Sequence, residues 1–398
     1  MNENDIRGFL AENAALQRRL LADLCAIPAP SGKEGARAAY ILKTLKAWGL
    51  GAAYTDEADN VILPLNAENG NALSAIVAHT DTVFPDTEPM CITETEDRMY
   101  CPGIGDDTVC VVQLMLCAKY LAERDITPEN GLLIVFNSGE EGLGNLRGTR
   151  ALFRAYGNRI RRFLSFDHGI PEEMVTTCVG SARFRVCVQT AGGHSYTAFG
   201  NENAIARIAA LVSEIYRTEL PPELPGKTTF NVGTISGGTS VNTIAESAEI
   251  LTEYRSDTAE GLDFMHDRFE TLFRAAERTG VRLTVIPVGD RPCARGVGPE
   301  AQATLENACA GILTDLTGAA PKRVSGSTDC NIPQSLGIPA VCVPVYRGAR
   351  SHTREEWIAK NSLLPGLSAA IRFTLMMCQN MSPFSTGTPG ISPDEPRF

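Results

Sequence analysis

What most constrains this chain is the order of its apolar segments. "LSAIVA" (73–78), "GLLIVF" (131–136) and "RFLSF" (162–166) are short apolar runs of strand length. Helical patterns accompany them: "ARAAYILKTLKAWG" (36–49), ended by Gly49, and "TVCVVQLMLCAKYLAER" (108–124). Strand and helix alternating in this way predict a mainly parallel sheet with helices on both faces. The pattern then changes. "ARFRVCVQTAG", "TTFNVGTISG", "SAEILTEYRSD" and "VRLTVIPV" read as strands, with helices in "ENAIARIAALVSEIYRTEL" and "GLDFMHDRFETLFRAAERTG". In order this is β-α-β-β-α-β, the ferredoxin-like arrangement, over roughly residues 181–290. The α/β pattern resumes with "EAQATLENACAGILTDLTG", "AVCVPV" and "NSLLPGLSAAIRFTLMMCQN". The fold class expected is therefore α/β with an inserted small domain. Its boundaries are 1–180 and 291–380 for the larger domain, 181–290 for the insertion, and 381–398 for a flexible Pro-, Gly- and Ser-rich tail.

Composition narrows the function. A chain of 398 residues suits about two domains, and 43% hydrophobic with 21% charged residues is ordinary for a globular enzyme. No apolar run is long enough for a membrane span. The N-terminal "MNENDIRGFLAENAALQRRLLADLCAIP" reads as an amphipathic helix without the features of a secretory signal, so a cytoplasmic location is expected. A net charge of −11 argues against a nucleic-acid partner. The twelve cysteines are scattered with no C-x-x-C pair and read as buried apolar filler.

Ligands of open α/β sheets bind beyond the carboxyl ends of the strands. His79 and Asp81 follow "AIVA", Glu140 and Glu141 follow "LLIVFNSG", Asp167 and His168 follow "RFLSF", and His352 follows "AVCVPVYRGARS". Asp106 and Asp107 follow the glycine turn "PGIG". Each has a bland explanation alone: a helix cap, a turn, a solvated pair. Together they do not, because carboxylates gathered in one crevice cannot all ionise without positive charge. A mixed histidine and carboxylate set suits zinc or a similar divalent ion, and two such ions would balance three ligand carboxylates. Adjacent extended residues point apart, so one of Glu140 and Glu141 is expected to ligate while the other handles protons.

At this point the chain resembles the co-catalytic metallopeptidases that include peptidase T, carboxypeptidase G, the aminoacylases and succinyl-diaminopimelate desuccinylase. The resemblance rests on "HTDTVFP", "GIGDD", "NSGEEG", "SFDHG", "GGHSYTAFGNENAI", "GTISGGTSVNTI", "EYRSD" and "SHTREEW", in order over nearly the whole chain. It implies two divalent ions per subunit: zinc by default, manganese or cobalt as alternatives. His79 and Asp167 would hold one ion and Glu141 and His352 the other, with Asp106 bridging. Asp81 would orient His79, and Glu140 would be the general base for a water activated by the two metals. His194 would stabilise the oxyanion, in relatives often from a partner subunit, and Asn242 and Arg255 would help hold the substrate's carboxylate. The insertion would be a lid and dimerisation domain, making a homodimer. Relatives often have a cis peptide at the acidic pair, and many follow that pair with Lys-Gly, where this chain has Thr108 and Val109.

The leading reading is a hydrolase of small peptides, a di- or tripeptidase or aminopeptidase like peptidase T. The second is an N-acyl amino acid deacylase or carboxypeptidase of the same family. A non-catalytic binding protein is the third, disfavoured because every ligand and the base are present. His168 is expected to hydrogen-bond within its own loop, and His266 to lie on the surface. No G-x-S-x-G elbow or phosphate-binding G-x-x-x-x-G-K-[ST] loop occurs.

Overall fold

The computed structural model describes residues 3–68, 72–277 and 281–380. The expected tail over 381–398 lies outside the described residues. The chain divides into two compact units: the residues up to Cys178 with those from Arg295 onward, and Val179–Ala294.

The larger unit is organised by an eight-stranded sheet. Its centre is four parallel strands in the order Gly131–Asn137, Leu73–His79, Ile160–Phe166, Ala340–Val343. Val61–Leu65 joins antiparallel on one side, and Glu173–Cys178 and Lys322–Gly326 extend the other. The central strands are mainly apolar because both faces are covered, with Ser74, Arg162 and Ser165 as buried polar exceptions. Ile76, Ala78, Ile134, Phe136, Leu164 and Phe166 point into one core, shared with Leu20, Ile41, Val112, Leu313 and Phe373 from five helices. Ala75, Val77, Leu133, Val135 and Phe163 point into the other, against Leu152 and Ile332. The period of two thus divides each strand between two cores.

Several elements escaped the pattern reading. Val61–Leu65, Glu173–Cys178 and Lys322–Gly326 are short strands at the sheet's margins, and Arg147–Tyr156 is a short helix. A small antiparallel sheet pairs Arg98–Tyr100 with Trp357–Ala359. The long helix begins at Cys110, two residues later than its apolar pattern suggests, because Asp106 and Asp107 leave helical geometry just before it.

The second unit has a four-stranded antiparallel sheet in the order Thr228–Gly237, Ser247–Ser256, Gly180–Gln189, Arg282–Arg291. With helices Ala204–Tyr216 and Ala259–Glu277 this is the β-α-β-β-α-β arrangement. Its core joins Val186, Val188, Ile208, Leu211, Ile250 and Phe269. Asn203 starts the first helix by accepting the Ile205 and Ala206 N–H groups on its side chain.

Candidate metal centre

The site forms where the parallel strands of the larger unit end. Strand Leu73–His79 stops at His79, whose ring is fully buried. The His79 Nδ1 meets the Asp81 carbonyl at 3.1 Å and the Asp81 carboxylate at 3.5 Å, which leaves Nε2 aimed into the cluster. Asp81 does more than orient the ring. Its two oxygens accept the backbone N–H groups of Glu140 and Glu141, each at 2.9 Å, and Oδ2 also accepts the Ser31 hydroxyl. One carboxylate therefore ties the histidine to the following strand's acidic pair.

Asp106 stands at the middle. Its Oδ1 lies 2.9 Å from His79 Nε2 and its Oδ2 3.1 Å from His352 Nε2. Asp167 approaches His79 Nε2 at 3.9 Å, and Glu141 approaches His352 Nε2 at 3.1 Å. Two histidine–carboxylate pairs thus flank one carboxylate that faces both. The Asp106–Asp107 peptide bond is cis. Asp107 accepts the His79 backbone N–H at 2.9 Å.

Glu140 and Glu141 do not point apart as adjacent extended residues were expected to. Both place a carboxylate oxygen within 4.8 Å of a His79 ring nitrogen. The chain there is not extended throughout, since Gly139 and Gly142 adopt φ of 64° and 48°. His168 meets Glu173, at the start of the next strand, at 3.4 Å, and His266 is exposed beside the Tyr254 hydroxyl.

The electrostatics ask for cations. Burial opposes charge on His79, but the carboxylates of Asp107, Asp106, Asp81 and Asp167 outweigh it and hold its pKa well above the usual histidine range. Direct hydrogen bonds to Asp106 and Glu141 raise His352 to about 10. Burial would raise Asp106, but His352 and His79 hold it well below the carboxylate range. Burial and the Asp106 charge push Glu141 up to about 7, and the same two causes raise Asp167. The carboxylates thus crowd against one another and against the two imidazoles, an arrangement that positive charge stabilises. A donor set of imidazole nitrogens and carboxylate oxygens fits divalent ions of the zinc, manganese or cobalt type. Three groups of donor atoms, His79 with Glu140 and Glu141, His79 with Asp107 and Asp167, and Asp106 with Glu141 and His352, each lie within 4.8 Å.

Sequence reading missed Glu356. Its buried carboxylate accepts the N–H groups of Gly103, Gly105 and Asp106 at 2.7, 2.8 and 2.7 Å, fixing the turn that presents Asp106. Its position just before strand Trp357–Ala359 was the available signal.

The remaining three residues lie in the smaller unit. His194 pairs opposite Thr243 in a two-stranded ribbon, and its Nδ1 accepts the Tyr196 N–H at 3.3 Å. Asn242 sits beside it, its carbonyl accepting the Ser195 N–H at 2.9 Å. Arg255 is elsewhere, near the Ser256 end of its strand and ion-paired with Glu253 at 2.8 Å. At ~3.3 Å per residue this is about 25 Å along the strand from the His194 ribbon. Within the unit, His194 and Asn242 come together and Arg255 does not.

The sequence profile of "Peptidase family M20/M25/M40" matches residues 75–375, spanning both units and every residue of the cluster. The chain belongs to this peptidase family. An acetylornithine deacetylase of Myxococcus xanthus is 26% identical over 290 residues, 69% of this chain and 72% of that one. The aminopeptidase PepT of Bacillus cereus superposes with a TM-score of 0.68 at 20% identity, over 90% of this chain and 99% of that chain. A dinuclear metal binding peptidase of the M20 family from Bacillus subtilis gives 0.60 at 16% identity, over 93% and 99%. As an M20 family member the protein is a hydrolase of peptide or amide bonds and a metal-binding enzyme. No helix among the described residues is long and apolar enough to cross a membrane.

Proposed function

We propose that this M20 enzyme hydrolyses small peptides at a centre for two divalent ions, zinc by default. The observation that carries the reading is Asp106, whose two oxygens face His79 and His352 separately, each histidine with a second carboxylate at hand. His79 and Asp167 would hold one ion, His352 and Glu141 the other, and Asp106 both. When bound, such a pair lowers the proton affinity of a water and polarises the carbonyl to be attacked.

The chain's own groups supply the rest. Glu140, buried at the strand end with its N–H held by Asp81, takes the proton of the attacking water on a carboxylate oxygen and returns it to the leaving amine. Asp81 keeps the His79 ring and the Glu140–Glu141 backbone in fixed relation. His194, exposed in its ribbon, is the proposed oxyanion donor, and Asn242 and Arg255 are the proposed carboxylate contacts of the substrate. The smaller unit is the proposed lid and homodimerisation domain.

A second reading is deacylation of N-acyl amino acids, favoured by the similarity to an acetylornithine deacetylase. Mass-spectrometric product analysis on zinc-loaded protein separates the two. The panel holds di- and tripeptides with free or acetylated amines. Release of the N-terminal residue from free-amine peptides alone supports the peptidase reading. Turnover confined to acetylated substrates assigns the protein to the deacylases or carboxypeptidases of the family, release of acetate marking the former.

A further inference from the structure

Arg37 is a buried cation that the mechanism above does not use. It lies in the first turn of helix Gly35–Ala47 and is 2% exposed. Its Nε donates to the Ile27 carbonyl at 2.8 Å. Its Nη1 donates to the Thr80 carbonyl at 2.9 Å and reaches the Thr108 hydroxyl at 3.2 Å. Thr108 in turn donates to the Gly103 carbonyl. One guanidinium nitrogen thus joins the residue after His79 to the turn that carries Asp106 and Asp107. Nη2 is buried without a hydrogen-bond partner.

A buried guanidinium with no carboxylate in contact is expensive unless a nearby field compensates it. Here burial works to lower the Arg37 pKa, and the carboxylates of Asp81 and Asp107 are among the groups that oppose this. The benefit is mutual. Asp81, Asp106, Asp107, Glu140, Glu141, Asp167 and Glu356 crowd more carboxylates into this region than two divalent ions have charges to match. Arg37 is the permanent positive charge wedged behind them.

We propose that Arg37 is a positioning residue of the metal centre: a buried positive charge that clamps the His79 turn to the Asp106 turn and so sets the affinity for the ions. The inference rests on reading the cluster as a metal centre. A charge in this place acts on the ligands before any substrate arrives, so the effect belongs in metal affinity itself and not only in turnover.

The test is a zinc titration against a chromophoric chelator, with wild type, Arg37→Met and Arg37→Lys, each checked for folding by circular dichroism. Wild type comes first, because a wild type that takes up no zinc overturns the metal-centre reading itself. Given uptake, Arg37→Met should bind zinc about 10–100-fold more weakly, as for other residues that hold metal ligands in place. Arg37→Lys, which keeps the charge, should stay within a few-fold of wild type. Unchanged affinity in Arg37→Met overturns the proposal while leaving the metal centre standing. A loss in Arg37→Lys as large as in Arg37→Met overturns the assignment to charge. Should Arg37→Met not fold, Arg37→Gln, neutral but still able to donate to the Thr80 carbonyl, gives the same comparison.

Discussion

At the scale of single residues the centre separates groups that hold ions from groups that move protons. Glu140→Gln removes the proposed base without removing a proposed ligand, so turnover should fall by about 10²–10⁴-fold with zinc content unchanged. Full activity with both ions bound would show that another group takes the proton. Glu356→Gln tests the turn behind Asp106. An amide has one acceptor oxygen for the three N–H groups that the carboxylate serves, so thermal unfolding of the metal-free protein should show a loss of about 1–3 kcal/mol. The cluster's protonation also has a sign. Without metal, Glu141 holds its proton up to about 7 and His352 up to about 10. Ligands must shed protons to bind metal, so zinc uptake at neutral pH should release protons, and apparent affinity should climb as pH rises through that range. Calorimetry in two buffers of different ionisation enthalpy reads the release directly, and equal heats in both would contradict it.

At the scale of elements, the site depends on how strands end and on what packs behind them. The closing helix Leu363–Cys378 approaches the segment just after strand Ala340–Val343 so closely that a Cβ on Gly366 would clash with the Val345 carbonyl oxygen. Val345 leads into the loop that presents His352. Gly366→Ala should therefore cost about 3 kcal/mol in urea unfolding, near the upper end for overpacking, and weaken zinc binding as well. Unchanged stability would mean that the helix can shift without resistance. The same scale explains which elements were legible in the sequence. Leu73–His79, Gly131–Asn137 and Ile160–Phe166 are mainly apolar because two cores share them, so they stand out as runs. Glu173–Cys178 and Lys322–Gly326 lie toward the sheet's margin, where polar and partly exposed residues dilute the pattern, and Val61–Leu65 is a run of only five residues interrupted by Pro64.

For the whole molecule, the two units have separate cores, so Val179–Ala294 expressed alone should give a cooperative unfolding transition. A non-cooperative, molten fragment would mean that it needs the larger unit to fold. Legible in the sequence alone were the main parallel strands with their long helices, the ferredoxin-like insertion, and the strand ends that carry His79, Glu140, Glu141 and Asp167. Those features are local: apolar period, run length, and polar residues where a run stops. Only the tertiary structure decided that Asp106 faces two histidines at once, that Asp81 joins His79 to the acidic pair, and that Glu356 and Arg37 brace the Asp106 turn. Each of these links residues far apart in the chain through buried polar contacts. Such contacts have no period, and a buried charge reads in sequence like any charge on the surface until its partners are known.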